Sequence, residues 1–248
     1  QLEHIATHLA GLQGILKPSV DKVMIRVFAA DHGVVDEGVS AFPQIVTGEM
    51  VKNFAAEGAA ITVVAAALSA DFGVINLGTV NDLPELPKVK SQRIAAGTAN
   101  FCQQVAMEES QLSAALSAGQ EVIVDAIGNN VNLFIGGEMG IGNTTSASAL
   151  ACAILNQPAE ALVGRGTGVD DQGIQRKQAV VTQALEFHEL NTSYVDALRT
   201  LQCLGGFEIA GLVGAYIAGA QAGITILIDG FISSVAALVA VCINPSIR

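Results

Sequence analysis

The chain has 248 residues, which is enough for one α/β domain with a large core. Hydrophobic residues make up 51% of it and charged residues only 14%, a balance that excludes an intrinsically disordered protein. Acidic residues outnumber basic residues by 23 to 12, which gives a formal net charge of -11. Because phosphate-rich surfaces attract basic proteins, we expect no nucleic acid and no membrane among the partners.

Five aliphatic runs that end in glycine or a carboxylate predict strands that are buried on both faces. They cover residues 23–31, 73–78, 131–137, 161–164 and 224–229. Ala-rich stretches with helical spacing predict helices over 46–69, 108–126, 144–155 and 170–189. Since strands alternate with helices, we predict an α/β fold with a parallel sheet.

Residues 209–228 are apolar enough, and long enough, to cross a membrane. However, Glu208 and Asp229 flank this stretch, where a membrane span usually carries basic or aromatic anchors. Gly219 and Gly223 also interrupt it. We therefore predict a buried helix over 207–220 and a strand over 224–229.

The cysteines bear on the cellular compartment. Cys102, Cys152, Cys203 and Cys242 are widely spaced in apolar surroundings, which predicts buried, reduced thiols. The chain begins at Gln1 without the charged and apolar segments of a signal peptide. We therefore predict a cytoplasmic protein.

Four polar or Gly-rich segments follow the predicted strands, at 30–33, 137–145, 164–168 and 229–231. In open parallel sheets, ligands bind beyond the carboxyl ends of the strands. We therefore expect these segments to line one crevice.

The segment 137–145 predicts an anion site, because a strand runs through glycines into the start of a helix. Gly137 and Gly142 have the spacing of a phosphate loop, and Thr144 stands at its hydroxyl position. Asn143 replaces the lysine of that motif. This favours a single phosphate or a ribose phosphate over nucleoside triphosphate hydrolysis.

Three charged residues near these loops each allow two interpretations. Glu138 either faces a developing positive charge or caps backbone amides. Lys177 lies about two turns into a helix that Asp170 is expected to cap, and it either reaches the anion or is solvated. Asp31, next to His32, suits a hydrogen-bonded brace better than a metal site, because no third ligand stands at a recognisable spacing.

Six segments, taken in chain order, resemble the nicotinate-nucleotide:dimethylbenzimidazole phosphoribosyltransferases. They are AADHGVVDEGVS (29–40), FPQIVT (42–47), GEMGIGNTT (137–145), VGRGTG (163–168), GGFEI (205–209) and DGFI (229–232). The resemblance implies transfer of ribose 5-phosphate from nicotinate mononucleotide to 5,6-dimethylbenzimidazole. The products would be α-ribazole 5'-phosphate, used for the nucleotide loop of cobalamin, and nicotinate.

The resemblance also implies a Rossmann-like sheet wrapped by helices, a homodimer, and no metal or redox cofactor. It divides the chain into a helical segment at 1–20, part of a small domain formed by both chain ends, and a core at 21–248. Glu138 is the implied catalytic carboxylate. The implied and proposed substrate-binding residues are Asp31, Phe42, Pro43, Met50, Met139, Gly140, Asn143, Thr144, Gly166, Thr167, Gly168, Lys177 and Asp229.

Two family features are absent from these 248 residues: an N-terminal Lys-Pro-Pro-Gly-Ser-Leu-Gly segment and a C-terminal Gly-Glu-Gly loop that carries the glutamate regarded as the general base. We therefore expect that both ends of the natural chain are missing and that this chain alone is weakly active or inactive. A non-catalytic protein that binds the nucleotide or base stays an alternative. So does a relative that uses adenine or a phenol as acceptor.

Overall fold

A computed structural model describes residues 2–166, 168–190 and 196–247. Within these ranges, five strands form one parallel sheet in the spatial order β3-β2-β1-β4-β5. The strands are β1 (Val23–Ala30), β2 (Asp71–Gly78), β3 (Val89–Ser91), β4 (Leu133–Met139) and β5 (Thr225–Leu227). The predicted parallel α/β sheet is confirmed.

Ten α-helices are described in the same ranges, in addition to short 3-10 turns at Gly33–Glu37 and Pro245–Ile247. They are α1 (Leu2–Gln13), α2 (Ile45–Ala55), α3 (Ala60–Ala67), α4 (Glu109–Gly128), α5 (Asn143–Leu155), α6 (Ala159–Leu162), α7 (Asp171–Phe187), α8 (Ala197–Leu204), α9 (Phe207–Gln221) and α10 (Phe231–Ile243). Neither α8 nor α10 was predicted from the sequence. Helix α1 lies within the predicted segment 1–20 and has no buried residue; the domain boundary itself stays a prediction.

Helices cover both faces of the sheet, as strands buried on both faces require. Phe28 and Phe134 project into a large apolar cluster with α4, α5, α9 and α10. Val27 and Val74 project into a smaller cluster with α2 and α3 on the opposite face. Strand order reverses at β1, between β2 and β4, and in folds of this type ligands bind beyond the carboxyl ends of the strands at such a point.

The apolar stretch 209–228 forms α9 and β5, so the prediction of a buried helix followed by a strand is confirmed. Helix α9 packs closely on α4 because Gly119 has no side chain. A Cβ atom there would overlap the carbonyl oxygen of Gly211. Small residues thus let this helix lie inside the protein.

Residues 45–67 also pass as a possible membrane span on length and composition alone. In the structure they are not one helix, because a turn with Glu57 at φ 60° separates α2 from α3. The prediction of a single helix over 46–69 was therefore wrong. Glu57 and Gly58 form a break that apolar spacing alone does not reveal.

Two further predictions were wrong. Residues 161–164 are not a strand, because Pro158 precedes a one-turn helix, α6, that extends to Leu162. Cys242 is exposed, whereas Cys102, Cys152 and Cys203 are buried as predicted. It lies near the end of α10, on the face that the core does not cover.

Candidate functional site

The candidate site lies at the carboxyl edge of the sheet, where β1, β4 and β5 end. Asp31 and His32 follow β1, Glu138 and Met139 close β4, and Asp229 follows β5. Strands β1 and β4 are neighbours in register, with Ala29 opposite Met139. The predicted convergence of these strand ends is confirmed.

Beyond β4, the chain passes through Gly140, Ile141 and Gly142 into α5. Gly142 has φ 97°, and a Cβ atom there would lie 2.8 Å from the side chain of Val35, so the turn requires glycine. The positive end of the α5 dipole lies at this turn. The predicted strand-loop-helix geometry of an anion site is therefore present.

Lys177 lies on α7, and its side chain is almost completely buried. Its Nζ donates to Thr144 Oγ1 at 3.0 Å and to the Gly164 carbonyl oxygen at 3.2 Å. Both partners are neutral, and burial lowers the pKa of Lys177. The alternative of a solvated lysine is wrong, because the amine is buried and its two acceptors are neutral oxygens. That Lys177 reaches an anion stays a prediction. Asp170 caps α7 as predicted, accepting from the Gly173 amide at 2.8 Å.

The loop before α7 completes this anion pocket. The pocket is lined by Val39, Ser40, Gly140, Ile141, Gly142, Asn143, Thr144, Arg165, Val169 and Lys177. Gly166 has φ 56°, and a Cβ atom there would lie 2.8 Å from Thr144 Oγ1. Gly168 has φ 106°. Thr167 lies outside the described residues.

Arg165 was not among the predicted site residues. Its guanidinium contacts Asp171 at 2.5 Å and donates to the Val169 carbonyl oxygen at 3.2 Å. Its place between two glycines of the segment 163–168 is the signal that could have identified it. It gives the pocket a second cation.

Glu138 is half-buried and accepts a hydrogen bond from the side-chain amide of Asn143. The N-cap of α5 is Gly142, so Glu138 does not serve as the cap. Burial raises the pKa of Glu138 to about 7, and the negative charge of Glu208 acts in the same direction. A carboxyl group whose pKa is close to neutral pH thus lies beside the anion pocket.

Asp31 lies beneath the edge and holds two segments of it in place. Its carboxylate accepts from Thr47 Oγ1 at 2.6 Å and from the Val80 amide at 2.8 Å. Thr47 Oγ1 in turn accepts from the Ile141 amide at 3.0 Å. Asp31 is completely buried, so the geometry favours a brace, and direct contact with a substrate stays a prediction.

Four of the predicted substrate-binding residues lie on the α2 side of the sheet, where the family resemblance places the acceptor base. Met50 and Met139 both pack against the smaller apolar cluster. Phe42 and Pro43 are exposed just before α2. Their contact with a base stays a prediction.

On this side lies a cavity of about 180 Å³ that the sequence did not reveal. Its walls are Ile25, Val27, Phe54, Ile61, Ile135, Gly136, Gly137 and Ser233, and it also touches Glu138 and Asp229. The signal for Phe54 and Ile61 is the apolar spacing along α2 and α3. The cavity combines apolar walls with two carboxyl groups.

Comparison with known proteins identifies the family of the chain. A sequence model described as Phosphoribosyltransferase matches residues 1–248. Nicotinate-nucleotide–dimethylbenzimidazole phosphoribosyltransferases from Pseudomonas putida (strain KT2440) and Xanthomonas axonopodis pv. citri are each 55% identical over 248 residues, which is all of this chain and 70% of each relative.

Solved structures are similar as well. The crystal structure of CobT from Thermus thermophilus has a TM-score of 0.94 and 42% identity, covering all of this chain and 73% of that one. The family match spans the chain, and the relatives share more than half of its residues. The chain therefore belongs to the nicotinate-nucleotide–dimethylbenzimidazole phosphoribosyltransferase family.

Proposed function

We propose that this protein transfers the ribose 5-phosphate of nicotinate mononucleotide to 5,6-dimethylbenzimidazole, giving α-ribazole 5'-phosphate and nicotinate for cobalamin assembly. The relatives are named for this activity. The observation that carries the proposal is the buried Lys177 amine, which lies beside the start of α5 and next to the loop of Glu138.

The phosphate is assigned to the anion pocket. Lys177 supplies a positive charge that its neutral partners leave uncompensated, and the start of α5 adds the partial charge of its dipole. Gly140 and Gly166 add no side chain to the pocket, which lets the backbone at these two positions approach the phosphate closely. Arg165 lies at the rim of the pocket, where its guanidinium pairs with Asp171.

Glu138 is assigned to the ribose. As the bond between C1' and the nicotinate nitrogen breaks, its electron pair goes to that nitrogen, so the leaving group needs no proton. Positive charge then develops on the ribose ring, and a nearby carboxylate stabilises it. Ionised Glu138 fits this role, because it lies beside the anion pocket that holds the phosphate.

The acceptor base is assigned to the α2 side of the sheet. A flat aromatic base suits the apolar walls of the 180 Å³ cavity, and Glu138 and Asp229 bound that cavity. The attacking azole nitrogen bonds to C1' and loses its proton to a general base. The family resemblance assigns the role of general base to the glutamate of a Gly-Glu-Gly loop.

The direct test measures nicotinate release from nicotinate mononucleotide, with 5,6-dimethylbenzimidazole, adenine or a phenol as acceptor. It uses both the 248-residue chain and a longer chain that covers the full length of the relatives. We expect acceptor-dependent release that is fastest with dimethylbenzimidazole, and slower release by Glu138→Gln at unchanged nucleotide affinity. Nucleotide binding without release in either chain would instead identify a binding protein.

We further propose a homodimer that works in the cytoplasm. Val63, Val64 and Leu68 are 61%, 52% and 70% exposed on and just after α3, and such apolar patches usually mark interfaces. The four cysteines are free thiols, as in a reducing compartment. Light scattering after size exclusion is expected to give twice the chain mass, and Val64→Glu is expected to lower it.

A further inference from the structure

A buried pair of ionisable residues lies beneath the candidate site and has no role in the steps above. His32 follows β1, and Glu208 lies in the first turn of α9, 176 positions later in the chain. His32 Nε2 and Glu208 Oε1 are 2.6 Å apart, and both side chains are completely buried.

A buried pair of this kind contributes little to the free energy of folding. Burying two ionisable groups carries a desolvation penalty, and apolar side chains of similar size often serve a core equally well. Moreover, among the described residues, His32 Nδ1 and Glu208 Oε2 have no hydrogen-bond partner. Two buried polar atoms of the pair are therefore left without a hydrogen bond, which packing of the core does not explain.

The pair lies directly under the anion pocket. A Cβ atom at Gly140 would lie 3.2 Å from His32 Nε2 and 3.3 Å from Glu208 Oε1. A Cβ atom at Gly206 would overlap His32 Cε1 and lie 2.6 Å from Glu208 Oε2. The backbone of Gly140 thus rests on the pair, so any movement of the pair changes the floor of the pocket.

His32 is the only cation among the charged groups that act on this pair within the described residues. Asp31 after β1, Glu138 on β4 and Glu208 on α9 all act on the imidazole, and Asp229 after β5 acts on Glu138. Burial opposes protonation of His32, but the charge and hydrogen bond of Glu208, with the charges of Asp31 and Glu138, together outweigh burial and raise the pKa of His32. When His32 is protonated, the two side chains form an ion pair.

We infer that His32 and Glu208 are positioning residues for phosphoribosyl transfer: their buried ion pair supports Gly140 beneath the phosphate and sets the charge around Glu138. This inference rests on the proposed function. The two members act on Glu138 in opposite directions, since Glu208 disfavours the Glu138 carboxylate and the His32 imidazolium favours it. Together they hold Glu138 near the ionisation that the ribose step requires.

Variants that keep the hydrogen bond and remove the charge test this inference. His32→Gln leaves Glu208 without a nearby cation, so we expect the acid limb of the pH profile of kcat to move up by about one pH unit and kcat at pH 7 to fall about fivefold. Glu208→Gln is expected to leave the limb close to the wild-type position, because His32 then loses its proton and the two opposing charges disappear together. The double variant is expected to do the same, so only His32→Gln, which leaves an unpaired carboxylate, moves the limb.

The matched control is His188→Gln. His188 is also buried, and its Nε2 contacts the carbonyl oxygen of Phe101 at 2.8 Å, far along the chain from the pair. We expect its pH profile to match wild type. Thermal unfolding of each variant verifies the fold. An unmoved limb in folded His32→Gln would overturn the inference, and if that variant does not fold, the protonation state of His32 in the wild-type protein decides.

A measurement on the unliganded protein separates this inference from the proposed function. Nitrogen NMR of the histidine rings is expected to show His32 doubly protonated at pH 7 in wild type and singly protonated in Glu208→Gln. A neutral His32 in wild type overturns the ion pair whatever the activity. If His32 is charged but no nicotinate is released, the proposed function fails, and the role in transfer fails with it.

Discussion

Lys177 Nζ lies 3.0 Å from Thr144 Oγ1, which joins the second turn of α7 to the first turn of α5. Two segments that are distant in the chain thereby form one wall of the anion pocket. We predict that Lys177→Gln weakens binding of nicotinate mononucleotide about 30-fold, because a charged hydrogen bond to phosphate contributes about 2 kcal/mol.

Calorimetric titration measures this loss of affinity. Lys52→Gln is the control, since Lys52 is exposed and pairs with Glu49. Lys177→Met is expected to keep or raise the melting temperature, because it removes a buried charge. Equal affinities of Lys177→Gln and Lys52→Gln would exclude Lys177 from the phosphate site.

Gly166→Ala is predicted to impair nucleotide binding and to destabilise the loop by about 1 kcal/mol. The residue has φ 56°, and the new Cβ atom would lie 2.8 Å from Thr144 Oγ1 and 3.2 Å from Lys177 Nζ. Gly164→Ala is the matched control, because no atom lies within 4 Å of a Cβ atom there. The two variants are compared by KM for the nucleotide and by thermal unfolding. Similar KM values would show that the tight contact at Gly166 is unimportant.

Glu138→Gln is predicted to stabilise the protein in a pH-dependent way. The pKa of Glu138 is about 7 in the folded protein, above its ordinary value of 4.5, so the folded state binds the proton more tightly than the unfolded state does. Stability is therefore lost as pH rises from about 4.5 to about 7. Gln removes this loss, so the variant gains about 2 kcal/mol over wild type at pH 8 and little at pH 4.

Urea unfolding across this pH range measures the difference. The control variant is Glu49→Gln, which changes an exposed carboxylate that pairs with Lys52. A constant difference between Glu138→Gln and wild type at all pH values would contradict the raised pKa.

Thr47→Val is predicted to destabilise the site edge by about 3 kcal/mol and to raise KM for the nucleotide. The change removes the donor to Asp31 and the acceptor of the Ile141 amide, which lies in the anion loop. Thr47→Ser keeps both bonds and is expected to restore KM.

Thr62→Val is the matched control for Thr47→Val. Thr62 is also buried, but its hydroxyl donates only to the Ala59 carbonyl oxygen at the start of α3. That oxygen also accepts from two backbone amides, so we expect a smaller loss of stability and no change in KM. An unaltered KM in Thr47→Val would show that the brace does not reach the anion pocket.

Much of the fold was predictable, because strands and helices leave local patterns. The aliphatic runs at 23–31, 73–78 and 131–137 are strands, and their carboxyl ends meet as predicted. The run at 161–164 failed because three aliphatic residues and a glycine fit a helical turn as well as a strand, and Pro158 precedes the turn that forms. The edge strand β3 has only three residues and left no periodic signal.

The sequence was sufficient to identify the family, the parallel sheet and the glycine-lined anion loop, since each depends on neighbouring residues and backbone conformation. Tertiary structure was needed to show that Lys177 is buried, that Thr47 braces Ile141, and that His32 meets Glu208 across 176 positions. The physical reason is that burial and hydrogen bonding depend on distances in space. Residues far apart in the chain acquire a shared environment, and with it a shifted pKa or a new partner, only when the sheet and helices have packed.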